Sequence, residues 1–86
     1  MDTAPSRPWY RARGSGDLGR AFRTIRKSAS ETQAGLAESS AASRSTIQRL
    51  EQGEDVSQAT VIALLAELGY EVVLVPRGAT VRVDVE

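Results

Sequence analysis

Thr32-Gln33-Ala34-Gly35-Leu36-Ala37-Glu38 is followed, after Ser39 to Ala42, by Ser43-Arg44-Ser45-Thr46-Ile47-Gln48-Arg49-Leu50-Glu51-Gln52-Gly53. The first half predicts a short helix. Thr32 is a good N-cap for a helix starting at Gln33, because its hydroxyl can accept a bond from an unpaired amide of the first turn. Ser30 with Gln33 fits a capping box and offers an alternative start two residues earlier. Leu36 and Ala37 face inward, and the helix ends near Ser40. Ser43 then caps a second short helix from Arg44 to about Gln52. Ile47 and Leu50, at i and i+3, form its inner side. Gly53 is a natural stop, since glycine accepts the left-handed conformation that closes helices.

Before this stretch, Asp17 to Lys27 predicts a helix with Leu18, Phe22 and Ile25 on one apolar stripe. Asp17 suits its positive end, and Arg26 and Lys27 its negative end. Arg20 and Arg23 lie off the stripe and are expected to be solvated. After it, Glu54 to Val56 is a loop, and Ser57 caps a fourth helix. There Val61, Leu64, Leu65 and Leu68 recur at i, i+3, i+4 and i+7, and Gly69 ends the run. The pattern then changes. Glu71-Val72-Val73-Leu74-Val75 is β-branched and apolar on both alternating sets, which predicts a strand covered on both faces. Pro76 ends it or places it at an edge. Arg77-Gly78-Ala79 can turn the chain, and Thr80 to Glu86 alternates as a half-buried strand. Met1 to Gly16, with Pro5, Pro8, Gly14 and Gly16, reads as a flexible basic arm. Trp9 and Tyr10 either pack on the domain or a partner, or belong to a loose tail.

The expected organisation is thus an arm (1–16), a helical domain (17–69) and a C-terminal β segment (70–86). The chain has 86 residues, enough for one small domain with little interior. Such domains usually need disulfides, a metal or a partner subunit. There is no Cys and no His, so disulfides are excluded and the usual zinc ligands are missing. Neither metal nor cofactor is expected, and oligomerisation is the expected reinforcement. No apolar run approaches the roughly 20 residues that span a bilayer. The first 16 residues lack the apolar core of a signal peptide. A cytoplasmic protein with no membrane partner is therefore expected. The formal net charge is zero, yet seven of the basic residues and only two acids lie between Met1 and Lys27. The acids gather later, from Glu51 to Glu86. Two ends of opposite charge can face different partners, or be ordinary solvated surface.

Two short helices joined by a tight polar turn and packed on flanking helices form a helix-turn-helix arrangement. The stretch from Thr32 to Glu38, then Ser43 to Gly53, resembles the lambda/Cro repressor-like, or XRE, family. Leu64-Leu65-Ala66-Glu67-Leu68-Gly69 resembles the close of that family's following helix. The resemblance covers roughly Leu18 to Gly69 and implies a mainly α, four-helix DNA-binding domain. One departure stands out. The family usually carries Leu, Gly and an apolar residue where this chain has Ser40, Ala41 and Ala42. The glycine often has positive φ, where Ala is disfavoured by about 1 kcal/mol, so a reshaped turn is expected.

With Ile47 and Leu50 inward, helix geometry puts Arg44, Ser45, Gln48, Arg49 and Gln52 on the outer strip. The N-terminal half of such a helix enters the major groove. There an arginine can grip guanine O6 and N7 with two bonds, worth about 1–3 kcal/mol of discrimination. The family pattern implies that Arg44, Ser45 and Arg49, with Gln48 beside them, read bases. It implies that Gln33 and Thr46, with the cap Ser43, hold phosphates. Arg11 and Arg13 are candidates for the minor groove, as in other basic arms.

Tyr70 to Pro76 stands where many repressors of this family add a fifth helix. It resembles the HipB-like antitoxins, whose small dimers pair a C-terminal strand across the two-fold axis. Val72, Val73, Leu74 and Val75 would then pair with their copies in an isologous dimer. An intrachain hairpin with Thr80 to Glu86 is the alternative, and both can hold at once. The expectation is a dimeric repressor of its own operon, the antitoxin for a HipA-like kinase toxin. A stand-alone phage-type or metabolic regulator is the nearest rival. An interaction adaptor without DNA binding is a second class. An enzyme is not expected, because no phosphate loop or nucleophile–base pair is visible. Glu51, Glu54 and Asp55 sit near a helix end and read as a solvated face.

Overall fold

The computed structural model describes residues 7–83. Four helices account for its regular structure: α1 (Ser15–Ser28), α2 (Gln33–Ser39), α3 (Arg44–Glu51) and α4 (Gln58–Glu67). α1 begins two residues earlier than its apolar stripe suggests, after an extended Gly14 that supplies no side-chain cap. Asp17 compensates from inside the first turn, accepting a bond from the Arg13 amide at 3.0 Å. α2 starts at Gln33, with Thr32 as its cap: the Gly35 amide donates to Thr32 Oγ1 at 2.9 Å. Ser43 and Ser57 cap α3 and α4 in the same way, through the Thr46 and Thr60 amides.

The alternative start at Ser30 fails for a visible reason. Ser30 belongs to the end of α1, where it sits at φ 59°. The Glu31 amide reaches back to Arg26 O, and the Ser30 amide to Lys27 O, at 3.1 and 2.9 Å. That is the paired closure usually built on glycine. The ends of α3 and α4 show the same closure with glycine in place, at Gly53 and Gly69, both with positive φ. Ala41 behaves differently from the glycine of the family pattern. Ser30 is the one non-glycine residue with positive φ among those described, so the α2–α3 turn does not use the left-handed region at Ala41. Ser40 is extended instead (φ −126°, ψ 177°), and its hydroxyl accepts the Ala42 amide at 3.3 Å.

One apolar cluster joins all four helices: Phe22 and Ile25 from α1, Leu36 from α2, Ile47 and Leu50 from α3, and Val61, Leu64 and Leu65 from α4, with its cap Leu68. The periodicities select all of these, together with Leu18 and Ala37, which pack against the cluster but are only partly buried. Each such side chain contributes about 1.5–3 kcal/mol when fully withdrawn from water. α3 packs on both α1 and α2. Its contact with α1 is close because Gly19 is buried there. A Cβ at that position would overlap the Leu50 carbonyl oxygen and lie 2.9 Å from Glu51 O. Among the described residues, no helix is long and apolar enough to cross a membrane.

The expected C-terminal strands are not formed. Among the described residues there is no β-ladder, and the chain after α4 runs without regular structure. The turn itself is present: the Ala79 amide donates to Pro76 O at 3.0 Å, around a Gly78 at φ 83°. The flanks do not zip together. A strand is stable only when an edge satisfies its amides and carbonyls, and four helices present none. Val72, Val73, Leu74 and Val75 are consequently exposed, Leu74 by 92%. Residues 84–86, the end of the second expected strand, lie outside the described residues, as do residues 1–6 of the arm.

The rest of the N-terminal segment lies against the domain. Tyr10 packs on the core and on Tyr70, with ring centroids 6.4 Å apart. The Arg7 guanidinium stacks 4.7 Å over the Tyr70 ring and donates to Leu68 O at 2.8 Å. The Tyr70 hydroxyl donates to Pro8 O at 2.8 Å. Trp9 remains half exposed.

Two substitutions test this framework by urea unfolding. Ser30→Gly is expected to stabilise by about 0.5–1 kcal/mol, because glycine adopts the left-handed region without the Cβ penalty. Gly19→Ala is expected to destabilise by about 1–3 kcal/mol, since two backbone carbonyls must move to admit one methyl.

Candidate nucleic-acid interface

The orientation of α3 defines the site. Ile47 is fully buried and Leu50 nearly so, which turns the opposite side of the helix outward. Arg44 and Ser45, in the first turn, are exposed, and Gln48 is half-buried behind them. Arg44 has no ion-pair partner among the described residues. Arg49 is also exposed but is engaged at home. Its Nη2 donates to Asp55 O at 2.6 Å, and its Nε faces Glu54 Oε1 at 3.4 Å. The pair is half exposed on both sides, so its contribution is small and salt-sensitive.

The residues assigned to phosphates have local duties too. Ser43 Oγ accepts the Thr46 amide and lies 2.9 Å from Thr46 Oγ1, so the two hydroxyls close the first turn of α3 together. Gln33 Nε2 donates to Glu51 Oε1 at 3.1 Å. Of the arm's candidates, Arg11 donates to Ala79 O at 2.8 Å, while the Arg13 side chain is exposed.

Glu51 is not part of a solvated face. Its side chain is 5% exposed and pairs with Arg26, itself 8% exposed. Arg26 Nε and Nη2 donate to Oε2 and Oε1 at 2.6 and 2.9 Å, a bidentate pair. Arg26 Nη1 donates to Glu31 O at 2.8 Å, which secures the link between α1 and α2. Burial pushes the Glu51 carboxyl up, but the bonds from Arg26 and Gln33 and the positive charge of Arg26 and Arg23 outweigh it. The net result lies below the ordinary value of 4.5. For Arg26, the bond to Glu51 outweighs desolvation and raises the guanidinium above its ordinary value. A sequence signal for the pair did exist. Arg26 falls one residue after Ile25 of the apolar stripe and Glu51 one after Leu50, so both stand at the margin of an inward face. Helix-end charge preference explains both equally well, and the pairing is invisible without the fold.

Four helices around one core, with α2 and α3 joined by a tight turn and α3 exposing its polar side, define a helix-turn-helix domain of the kind that binds DNA. Residues 17–77 match the family model described as a helix-turn-helix domain, and the chain belongs to that family. The match spans all but the start of α1, the rest of the fold, and the first part of the segment after it. No curated protein matches the chain significantly.

The ion pair carries a pH dependence of known sign. A carboxyl whose folded pKa is depressed stabilises the fold above its unfolded pKa, and that stability is lost as pH falls through the folded value. Unfolding free energy is therefore expected to drop below about pH 4.5, read by denaturant titration across pH. Glu51→Gln, which strands a buried guanidinium, is expected to cost about 3–5 kcal/mol at neutral pH and to remove this group's share of the acid loss.

Proposed function

We propose that this chain is a sequence-specific repressor that binds operator DNA as a homodimer and regulates its own operon. The observation that carries the reading is the setting of α3. Arg44 and Ser45 are exposed on the first turn, Ser45 Oγ 3.5 Å from the cap Ser43 Oγ, on the side opposite Ile47 and Leu50, where a recognition helix meets base edges. Arg44 is the residue for guanine, and Ser45 and Gln48 complete the reading strip. Arg49 joins them by exchanging its contacts with Glu54 and Asp55 for the DNA. Ser43, Thr46 and Gln33 line the approach to the backbone. Arg13, and Arg11 once released from Ala79, are the arm's candidates for the minor groove.

The dimer reading is supported by Val72 to Val75, an exposed apolar run with no backbone–backbone hydrogen bond among the described residues, which a second copy would pair and cover. The resemblance of Tyr70 to Pro76 to HipB-like antitoxins extends the proposal. The chain would then neutralise a HipA-like kinase toxin encoded beside it. Genome-wide capture of bound DNA tests the regulatory part. A palindrome upstream of the chain's own gene is the expected result, and its absence overturns autoregulation.

Arg44→Ala is expected to cost about 1–3 kcal/mol for the preferred operator and to relax selection at one base pair of each half-site. Selection from randomised DNA at fixed salt measures this. Sedimentation at micromolar concentration is expected to show a dimer, with Leu74→Asp shifting it to monomer.

A further inference from the structure

An open groove of about 480 Å³ lies between α1, the start of α2 and α3. Arg23 stands on its α1 side, Thr32 and Gln33 on its α2 side, and Arg44 and Gln48 on its α3 side. The buried Arg26–Glu51 pair lines its inner surface. The charge balance of this groove is uneven. Three arginines and one glutamate line it, and the glutamate is already committed to Arg26. Arg23 and Arg44 are exposed and, among the described residues, have no salt-bridge partner. Two positive charges from different helices, neither in a salt bridge among the described residues, therefore line one polar opening. Gln33, at the same mouth, already gives an amide hydrogen to Glu51.

We infer that this groove seats a phosphate of the DNA backbone, with Arg23 as the cation that holds it. The inference rests on the DNA-binding reading above and adds a contact outside the helix-turn-helix pair. Geometry separates phosphate from base here. The major groove, about 12 Å wide, admits one helix. A cation on a neighbouring helix, beside the first residue of the recognition helix, meets the strand that walls the groove rather than the base edges within it. Backbone phosphates carry one charge per roughly 1.7 Å of duplex, so a solvent-open groove with two guanidinium groups outside any salt bridge attracts them without regard to sequence. Arg44, projecting from α3, can then serve bases while Arg23 serves the backbone. Such contacts fix register on the duplex and leave specificity to the bases.

The test compares the full chain with Arg23→Gln, Arg23→Lys and Arg44→Ala, using its selected operator and random-sequence duplex at several salt concentrations. Arg23→Gln is expected to weaken both duplexes by the same factor and to flatten the log–log salt slope by about 0.9 per subunit. Arg23→Lys is expected to keep the slope. Arg44→Ala is expected to narrow the gap between operator and random duplex. Thermal unfolding is followed in parallel, because the Arg23 charge helps hold the Glu51 carboxyl down. An unchanged slope in a folded Arg23→Gln, with Arg44→Ala losing discrimination, overturns the phosphate seat and leaves the DNA reading standing. A loss confined to the operator overturns it as well, because that marks Arg23 as a base reader. Failure of the unaltered chain to bind either duplex at low salt overturns both readings.

Discussion

Arg26 and Glu51 meet in bidentate geometry where α1, α2 and α3 converge, and the orientation of α3 depends on that meeting. Apolar packing is non-directional. Ile47 and Leu50 ensure that α3 is buried on one side. Hydrogen bonds weaken steeply with angle, so a two-pronged contact at the end of α3 sets its rotation more sharply. The remaining donor of Arg26 binds Glu31 O, and Gln33 brings α2 to the same carboxylate. One guanidinium and one carboxylate thus tie the helix-turn-helix to the helix that supports it. Taking both charges out of water is costly, and the completeness of their hydrogen bonding is what makes the arrangement tolerable.

The same pair shapes the electrostatics of the outer surface. Because Glu51 gives both its oxygens to Arg26, it forms no salt bridge with Arg23 or Arg44, which stay exposed, and Arg23 reaches it only through its charge. Further along α3 the situation reverses. Arg49 lies against the Asp55 carbonyl and near Glu54, so the end of the helix is close to neutral. Among the described residues the start of α3 thus carries an arginine outside any salt bridge, whereas the arginine at its end is paired. A net charge of zero over the whole chain conceals this local separation.

The two segments flanking the helices are held to each other on the domain surface. Arg7 and Tyr10 close on Tyr70, and Arg11 reaches Ala79. This leaves Val72 to Val75 anchored at both sides yet uncovered, an apolar run with neither a sheet nor a helix beside it. Exposed runs of this kind are uncommon on small monomeric domains, where each costs solubility and stability.

The positions of the four helices were legible in the amino-acid order because the relevant signals are local. Apolar residues repeat with the helical period, Thr32, Ser43 and Ser57 cap, and Gly53 and Gly69 stop, each acting on atoms a few residues away. The outward placement of Arg44, Ser45 and Gln48 follows from that period alone. Other features arise between residues far apart in the chain and required the folded molecule. Helix-end preference and a solvated surface account for Arg26 and Glu51 as readily as an ion pair does, until α1 and α3 are brought together. Gly19 is an ordinary weak helix residue until the carbonyls of α3 stand over it. Arg49 shares its strip with Arg44, but the loop after α3 decides that its guanidinium turns back. For Glu71 to Val75 the β-branched, apolar composition states only that a strand is possible. Pairing requires a second edge, which no residue pattern within the segment can provide.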